Sequence, residues 1–208
     1  MRPPLNGIIG LMDICMKHPE DRTLVDSSRL KARVAADHLL SLINDTLEMS
    51  KLENEETKIS KEDFYLPDLL HEVETIAQMM ADKECITIHF MDDPYSIPYP
   101  NLTGSSLRVK QIFLNLITNS IKYNRKNGSV DCFLKEEKES DERVLVDVTI
   151  KDTGIGMSED FLKNIFHPFV QADQGARSQY KGTGLGMAIV KELLDRMGGT
   201  IQIDSVEN

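Results

Sequence analysis

Apolar positions recur every three or four residues through most of the first 55 residues, the repeat of helices that each bury one face. Leu5, Ile8, Ile9 and Met12 make a first stripe, which the polar cluster "KHPEDRT" with Pro19 brings to a stop. A longer stripe runs through "LVDSSRLKARVAADHLLSLINDTLEMSKLE", where Ala36, Leu40, Ile43 and Leu47 share a face and charges fill the gaps. Two antiparallel helices of this sort cannot enclose a core between them. The pattern therefore predicts a partner, most simply a second copy that completes a four-helix bundle; a hairpin packed on the rest of the same chain is the alternative.

After the charged stretch "ENEETKISKED", a natural hinge, the pattern changes. A helix is predicted over "LPDLLHEVETIAQMMADKE", a strand over "CITIHF", turns over "DDPYSIPYPNLTG" and a long helix over "SSLRVKQIFLNLITNSIKYN". A turn at "RKNG" follows. "SVDCFLK" and "RVLVDVTIKD" then alternate as half-buried strands. A helix from about Gly184 and a closing strand, "TIQIDSV", end the chain. Helices and strands mix without strict βαβ order, so the fold class read from the pattern is α+β. An N-terminal helical hairpin over residues 1–55 precedes a two-layer α/β sandwich over 56–208.

Composition narrows the function. The 208 residues carry a net charge of -10 with pI about 5.0, which counts against nucleic-acid binding but leaves room for a small anionic ligand. No apolar run approaches the roughly 18 residues of a membrane span, and no signal peptide is present, so no membrane contact is expected of this region. Cys15, Cys85 and Cys132 lie far apart, as do the five histidines, and neither set has metal-ligand spacing.

Three short patterns carry candidate chemistry. In "NLITNSIKY", Asn115, Asn119, Lys122 and Tyr123 fall on one strip of the long helix, beside the apolar stripe of Val109, Ile112, Phe113 and Leu116. Two amides and an ammonium at the border of a core are costly to bury without partners. An amide oxygen suits a hard cation and a lysine one turn on suits a phosphate, although a polar helix edge would look the same. In "DTGIGM", Asp152 ends a strand and Gly154 and Gly156 permit a tight loop. A carboxylate held there can accept from an exocyclic amine such as that of adenine. In "KGTGLGMAIVKELLDRMGG", Gly182, Gly184 and Gly186 precede a helix whose free N–H groups could cradle phosphate. Between the last two patterns, "IFHPFVQADQGARSQY" has an apolar half that should anchor and a polar half composed like a lid.

In order and spacing, "LNLITNSIKYN", "DTGIGM", "IFHPFVQAD" and "GTGLGMAIV" resemble the N, G1, F and G2 boxes of sensor histidine protein kinases. These are members of the ATPase superfamily that includes gyrase-type topoisomerases. "MRPPLNGII" is similar to the tail of the family's H box, and "LEMSKLE" to the end of its second dimerisation helix. The resemblance covers essentially the whole chain. It implies a histidine kinase/gyrase ATPase type of sandwich, a homodimer through the N-terminal helices, ATP with Mg²⁺, and relay to the aspartate of a response-regulator receiver domain. It also implies a cytoplasmic region of a membrane-anchored protein.

By the same resemblance Asn119 holds Mg²⁺ and Asp152 recognises adenine. Lys122 and Tyr123 line the nucleotide, and Gly154, Gly156, Gly182, Gly184 and Gly186 shape its loops, with Thr183 and Arg177 as further phosphate contacts. The hydrolytic relatives usually place a glutamate base one turn before the metal-binding asparagine. Here that place is Asn115, and an amide cannot take the proton, which favours a kinase over a gyrase-like ATPase. A degenerate scaffold that binds ATP and signals only through its helices is a further alternative. The family's phosphoacceptor histidine would lie two residues before Met1, and none of the five histidines present has the H-box context. A last strand beyond "TIQIDSV" is expected to be missing as well. The chain departs from the family pattern at Pro3, usually Thr or Asn, at Ser105-Ser106, usually Asp-Pro, and at His167, usually Glu.

Overall fold

The computed structural model describes residues 2–53, 59–90, 97–171 and 182–207. Helix α1 (Arg2–Lys17) and helix α2 (Arg22–Glu53) form the N-terminal hairpin. Asp21 starts α2, its carboxylate accepting the Leu24 N–H at 2.9 Å. Val25, Ser28 and Ala32 are buried along α2, while Leu5, Ile9, Met12, Leu40 and Leu47 remain 48–58% exposed in the single chain. The apolar stripes read from the sequence are therefore real, and about half the surface of these five side chains is left uncovered among the described residues. Residues 54–58 of the predicted hinge lie outside the described residues.

The second part is a helix layer on a mixed sheet. Strand β1 (Glu62–Tyr65) leads into helix α3 (Leu66–Glu84), which Pro67 opens and Cys85, in the left-handed conformation at φ 56°, closes. Strand β2 (Thr87–Phe90), strand β3 (Asn101–Gly104) and helix α4 (Ser106–Lys122) follow. Strands β4 (Ser129–Lys138) and β5 (Val144–Asp152) come next, then the short α5 (Glu159–Leu162) and finally α6 (Gly186–Met197). The main sheet has the order β2-β4-β5, with β2 parallel and β5 antiparallel to β4; β1 and β3 pair antiparallel in a separate ribbon. Ile88, Val130 and Cys132, with Val148 and Ile150 packed beside them, face a core completed by Val73 and Ala77 of α3, Ile112, Phe113, Ile117 and Ile121 of α4, and Ile189 and Leu193 of α6. Among the opposite-facing residues, His89 meets Asp131 at 2.7 Å and the Lys151 ammonium lies over the Phe133 ring.

The hairpin followed by an α/β layer structure is the fold class that the pattern predicts, with three differences of detail. The β1–β3 ribbon is not anticipated, because each strand has four residues and its partner lies some forty positions away. Residues 200–206 form no ladder, so "TIQIDSV" is not a strand among the described residues. Its half-buried positions do alternate (Ile201, Ile203, Ser205), which is the signal the sequence carried; ladder bonding to a neighbour is what a strand further needs. In the F-box segment Ile165 anchors as expected, but Phe169 is 62% exposed.

Burial pushes the Cys132 thiol up to about 12, with the nearby Asp131 charge adding to the effect. A thiol held neutral in the fold but ionised when unfolded subtracts stability as pH rises. The contribution is intact below the ordinary thiol range and is lost between about 8.5 and 12. Cys85 is exposed and Cys15 half-buried. Iodoacetamide at pH 8 is therefore expected to label Cys85 first, and Cys132 only once the protein is unfolded; mass spectrometry finding early label on Cys132 would contradict this burial.

Candidate functional site

The C-terminal half of α4 supplies the first wall of the site. Ile112, Phe113, Ile117 and Ile121 are buried and fix the rotation of the helix, which leaves Asn115, Asn119 and Lys122 at the half-buried edge. Among the described residues, the carboxamides of Asn115 and Asn119 meet no hydrogen-bond partner. Half-buried amides left without partners are costly unless a ligand or water satisfies them. The Lys122 ammonium lies 4.8 Å from the centre of the Tyr123 ring, at the point where the helix ends.

The loop after β5 supplies the second wall and is stitched to the first. The Ile155 N–H donates to the Tyr123 carbonyl at 3.1 Å. Asp152 turns its Oδ1 back to accept the Gly154 N–H at 2.9 Å, an Asx-type turn that leaves Oδ2 for another donor. Gly154 is dictated by crowding, since a Cβ there would stand 2.7 Å from both Asp152 Oδ1 and the Tyr123 carbonyl oxygen.

The glycines before α6 form the third wall. A Cβ on Gly182 would meet the Lys122 ammonium at 2.8 Å and the Tyr123 hydroxyl at 3.2 Å, so this loop lies directly against the end of α4. Gly184 has φ 73°, and its carbonyl accepts the Phe169 N–H at 2.9 Å. The Thr183 hydroxyl is taken by the Leu185 N–H at 3.2 Å. Helix α6 starts at Gly186 without a side-chain cap, and a Cβ on Gly186 would face open space. Free N–H groups at such an end, together with the helix dipole, suit an anion.

Asn119, Lys122, Tyr123, Asp152, Gly154, Gly182 and Gly184 thus converge on one cleft, with Asn115 one turn back on α4. Gly156 (φ 72°) turns away towards the carbonyl of Val206, which a side chain there would strike. Arg177 and the polar half of the predicted lid lie outside the described residues.

Two supporting features escaped the sequence reading. Asn124, Ser129 and Thr153 form a closed hydrogen-bond set: Asn124 Nδ2 to the Ser129 carbonyl at 2.9 Å, the Ser129 N–H to Thr153 Oγ1 at 2.8 Å, and Thr153 Oγ1 to Asn124 Oδ1 at 3.0 Å. This set locks the end of α4 to the loop after β5. Gln171 donates to the Gly182 carbonyl at 2.9 Å and so positions the third wall. Thr153 sits inside "DTGIGM" and Asn124 at the end of "IKYN", where a polar residue beside a bend was the available signal.

Residues 104–208 match the family described as histidine kinase-, DNA gyrase B-, and HSP90-like ATPase. Over 208 residues the chain is 36% identical to the sensor histidine kinase GacS of Pseudomonas protegens, covering 99% of this chain and 22% of that protein. It is likewise 36% identical to the signal transduction histidine-protein kinase BarA of Escherichia coli, covering 100% of this chain and 22% of the relative. The chain therefore spans about a fifth of the length of these curated relatives. Full-length ShkA, solved in complex with AMPPNP, is 29% identical with a TM-score of 0.70, covering 99% of this chain and 41% of that one. The histidine kinase AdeS of Acinetobacter baumannii shares the fold at 20% identity, with a TM-score of 0.71 over 99% of this chain and 90% of its own.

Proposed function

Since this chain belongs to the histidine kinase-, DNA gyrase B-, and HSP90-like ATPase family and is a sensor histidine kinase transmitter region, we propose that it binds ATP with Mg²⁺ in the cleft between α4, the β5 loop and the α6 glycines. The bound ATP then gives its γ-phosphoryl group to a histidine, for relay to a response-regulator aspartate. The observation that carries this reading is the convergence of Asn119, Lys122, Asp152 and Gly182 around the end of α4.

Each residue has a chemical task. Asp152 Oδ2 accepts from the exocyclic amine of adenine while Oδ1 keeps the loop in shape. Lys122 sets a positive charge against phosphate oxygens, and the N–H groups that open α6 add neutral donors. The unpartnered carboxamide of Asn119 fits an oxygen-seeking cation that takes most of its other ligands from water and phosphate. Such a cation, when bound, neutralises phosphate charge.

Asn115 stands where a general base would be and cannot accept a proton, so water is a poor competitor for the phosphoryl group. The purified chain is expected to turn over ATP far below ~1 per second, a rate typical of modest enzymes. Asn115→Glu is expected to raise hydrolysis by at least about tenfold, since a positioned base contributes roughly 10²–10⁴-fold when its geometry is ideal. A phosphate-release assay showing brisk turnover in the parent would refute the kinase assignment.

The exposed stripe of Leu5, Ile9, Met12, Leu40 and Leu47 supports a homodimer built through residues 1–55, and the receiver domain of a response regulator is the downstream partner. Among the described residues no helix is long and apolar enough to cross a membrane. We place this region on the cytoplasmic side of a membrane-anchored sensor.

A further inference from the structure

The last two turns of α2 do not end in solvent. Glu48, Met49 and Leu52 fall on one face of the helix, and each is engaged by the ATP-binding domain. Leu52 is 1% exposed and belongs to the same core cluster as Val73, Ile112 and Leu193, with Met49 packed beside it. Both carboxylate oxygens of Glu48 are taken: Oε1 by the Arg108 guanidinium and Oε2 by Gln111 Nε2 at 2.6 Å. Arg108 also donates to Gln111 Oε1 at 2.9 Å, which closes a three-residue ring. Arg108 and Glu48 are only 20% and 26% exposed, so the pair is screened less than a surface ion pair. From the other side Arg196 of α6 donates to the Leu52 carbonyl, one of the groups a helix end leaves unsatisfied, while holding Glu192 at 2.7 Å.

We infer that the surface between the start of α4 and the end of α6 is a helix-docking site whose occupant is the stretch Glu48–Leu52 of α2. The mechanical border of the ATP domain then lies N-terminal to Glu48 and not in the charged stretch after Glu53. With this clasp shut, the ATP domain and the end of α2 move as one body, and any swing must pivot higher up α2 or begin by opening the clasp. The clasp grips α4 at Arg108, eleven residues and roughly 16 Å along the helix from Asn119. The relevance to phosphoryl transfer rests on the proposed nucleotide site, whereas the docking itself does not.

Hydrogen exchange on the whole 208-residue chain tests the docking without using activity. In Arg108→Glu, amides in the stretch 45–53 are expected to exchange at least about tenfold faster than in the parent, while the stretch 22–35 is unchanged. Glu48→Gln keeps shape and hydrogen bonding but removes the charge, and is expected to show a smaller rise. The exchanged pair Glu48→Arg with Arg108→Glu is expected to restore most of the protection, since the Gln111 amide can serve either polarity. Unchanged exchange at 45–53 in both single variants would overturn the inference. So would faster exchange throughout the ATP domain that the exchanged pair does not repair. An ATP titration of the parent chain separates these results from a failure of the nucleotide reading.

Discussion

Replacing Asp152 by Asn is expected to weaken ATP binding by about tenfold to a hundredfold and to narrow the preference for adenine over guanine nucleotides. The substitution tests one oxygen. Asp152 Oδ1 accepts the Gly154 N–H at 2.9 Å, and the carbonyl oxygen of an asparagine can do the same, so the turn survives. What changes is the other atom, which becomes an NH₂ donor where a charged acceptor stood. Facing the exocyclic amine of adenine, a donor meets a donor. A hydrogen bond to a charged group, worth about 1.5–3 kcal/mol, is replaced by a mismatch. Guanine offers a carbonyl oxygen at the equivalent place, so GTP loses less or gains. Calorimetric titration with both nucleotides reads the two effects together. Equal weakening of ATP and GTP would indicate a collapsed loop, and unchanged ATP affinity would remove Asp152 from the base site. The Asn124–Ser129–Thr153 set holds the same loop from outside the cleft and gives a control: Thr153→Val should disturb both nucleotides alike.

Much of this site was legible in the sequence because its logic is local. Asn115, Asn119 and Lys122 share a helix edge through helical periodicity alone, and Asp152 with Gly154 announces a bend at a strand end. What the sequence could not display is how the segments meet. Gly182 looks like any loop glycine until the Lys122 ammonium and the Tyr123 hydroxyl are seen crowding the place of its side chain. Glu48 and Leu52 read as a charged and an apolar position on a dimerising helix, and only the fold turns them towards Arg108 and into the core. The β1–β3 ribbon was hidden for the same reason. Its pairing of Glu62 with Gly104 is a long-range fact, and strands of four residues leave little periodicity to count.

The 208 residues are expected to bind ATP and yet acquire no phosphate of their own. Asn115 withholds a base from water, so the γ-phosphoryl group waits for a stronger nucleophile, and an imidazole on the first bundle helix is the one the family resemblance supplies. The histidines of the hairpin and the main sheet lack that setting: His18 lies in the turn between α1 and α2, beside Glu20, His38 lies half-buried within α2, and His89 is paired with Asp131 on the sheet face turned from the helices. Phosphate carried on an imidazole is acid-labile and base-stable, so the stability of any label reports whether a histidine holds it. Transfer also requires the γ-phosphate to meet that imidazole in line, which the domain can reach only by pivoting on α2 or by opening the Glu48–Arg108 clasp. Labelling with γ-³²P ATP reads the result directly. Stable label on the 208 residues themselves would show that a residue within them is the acceptor.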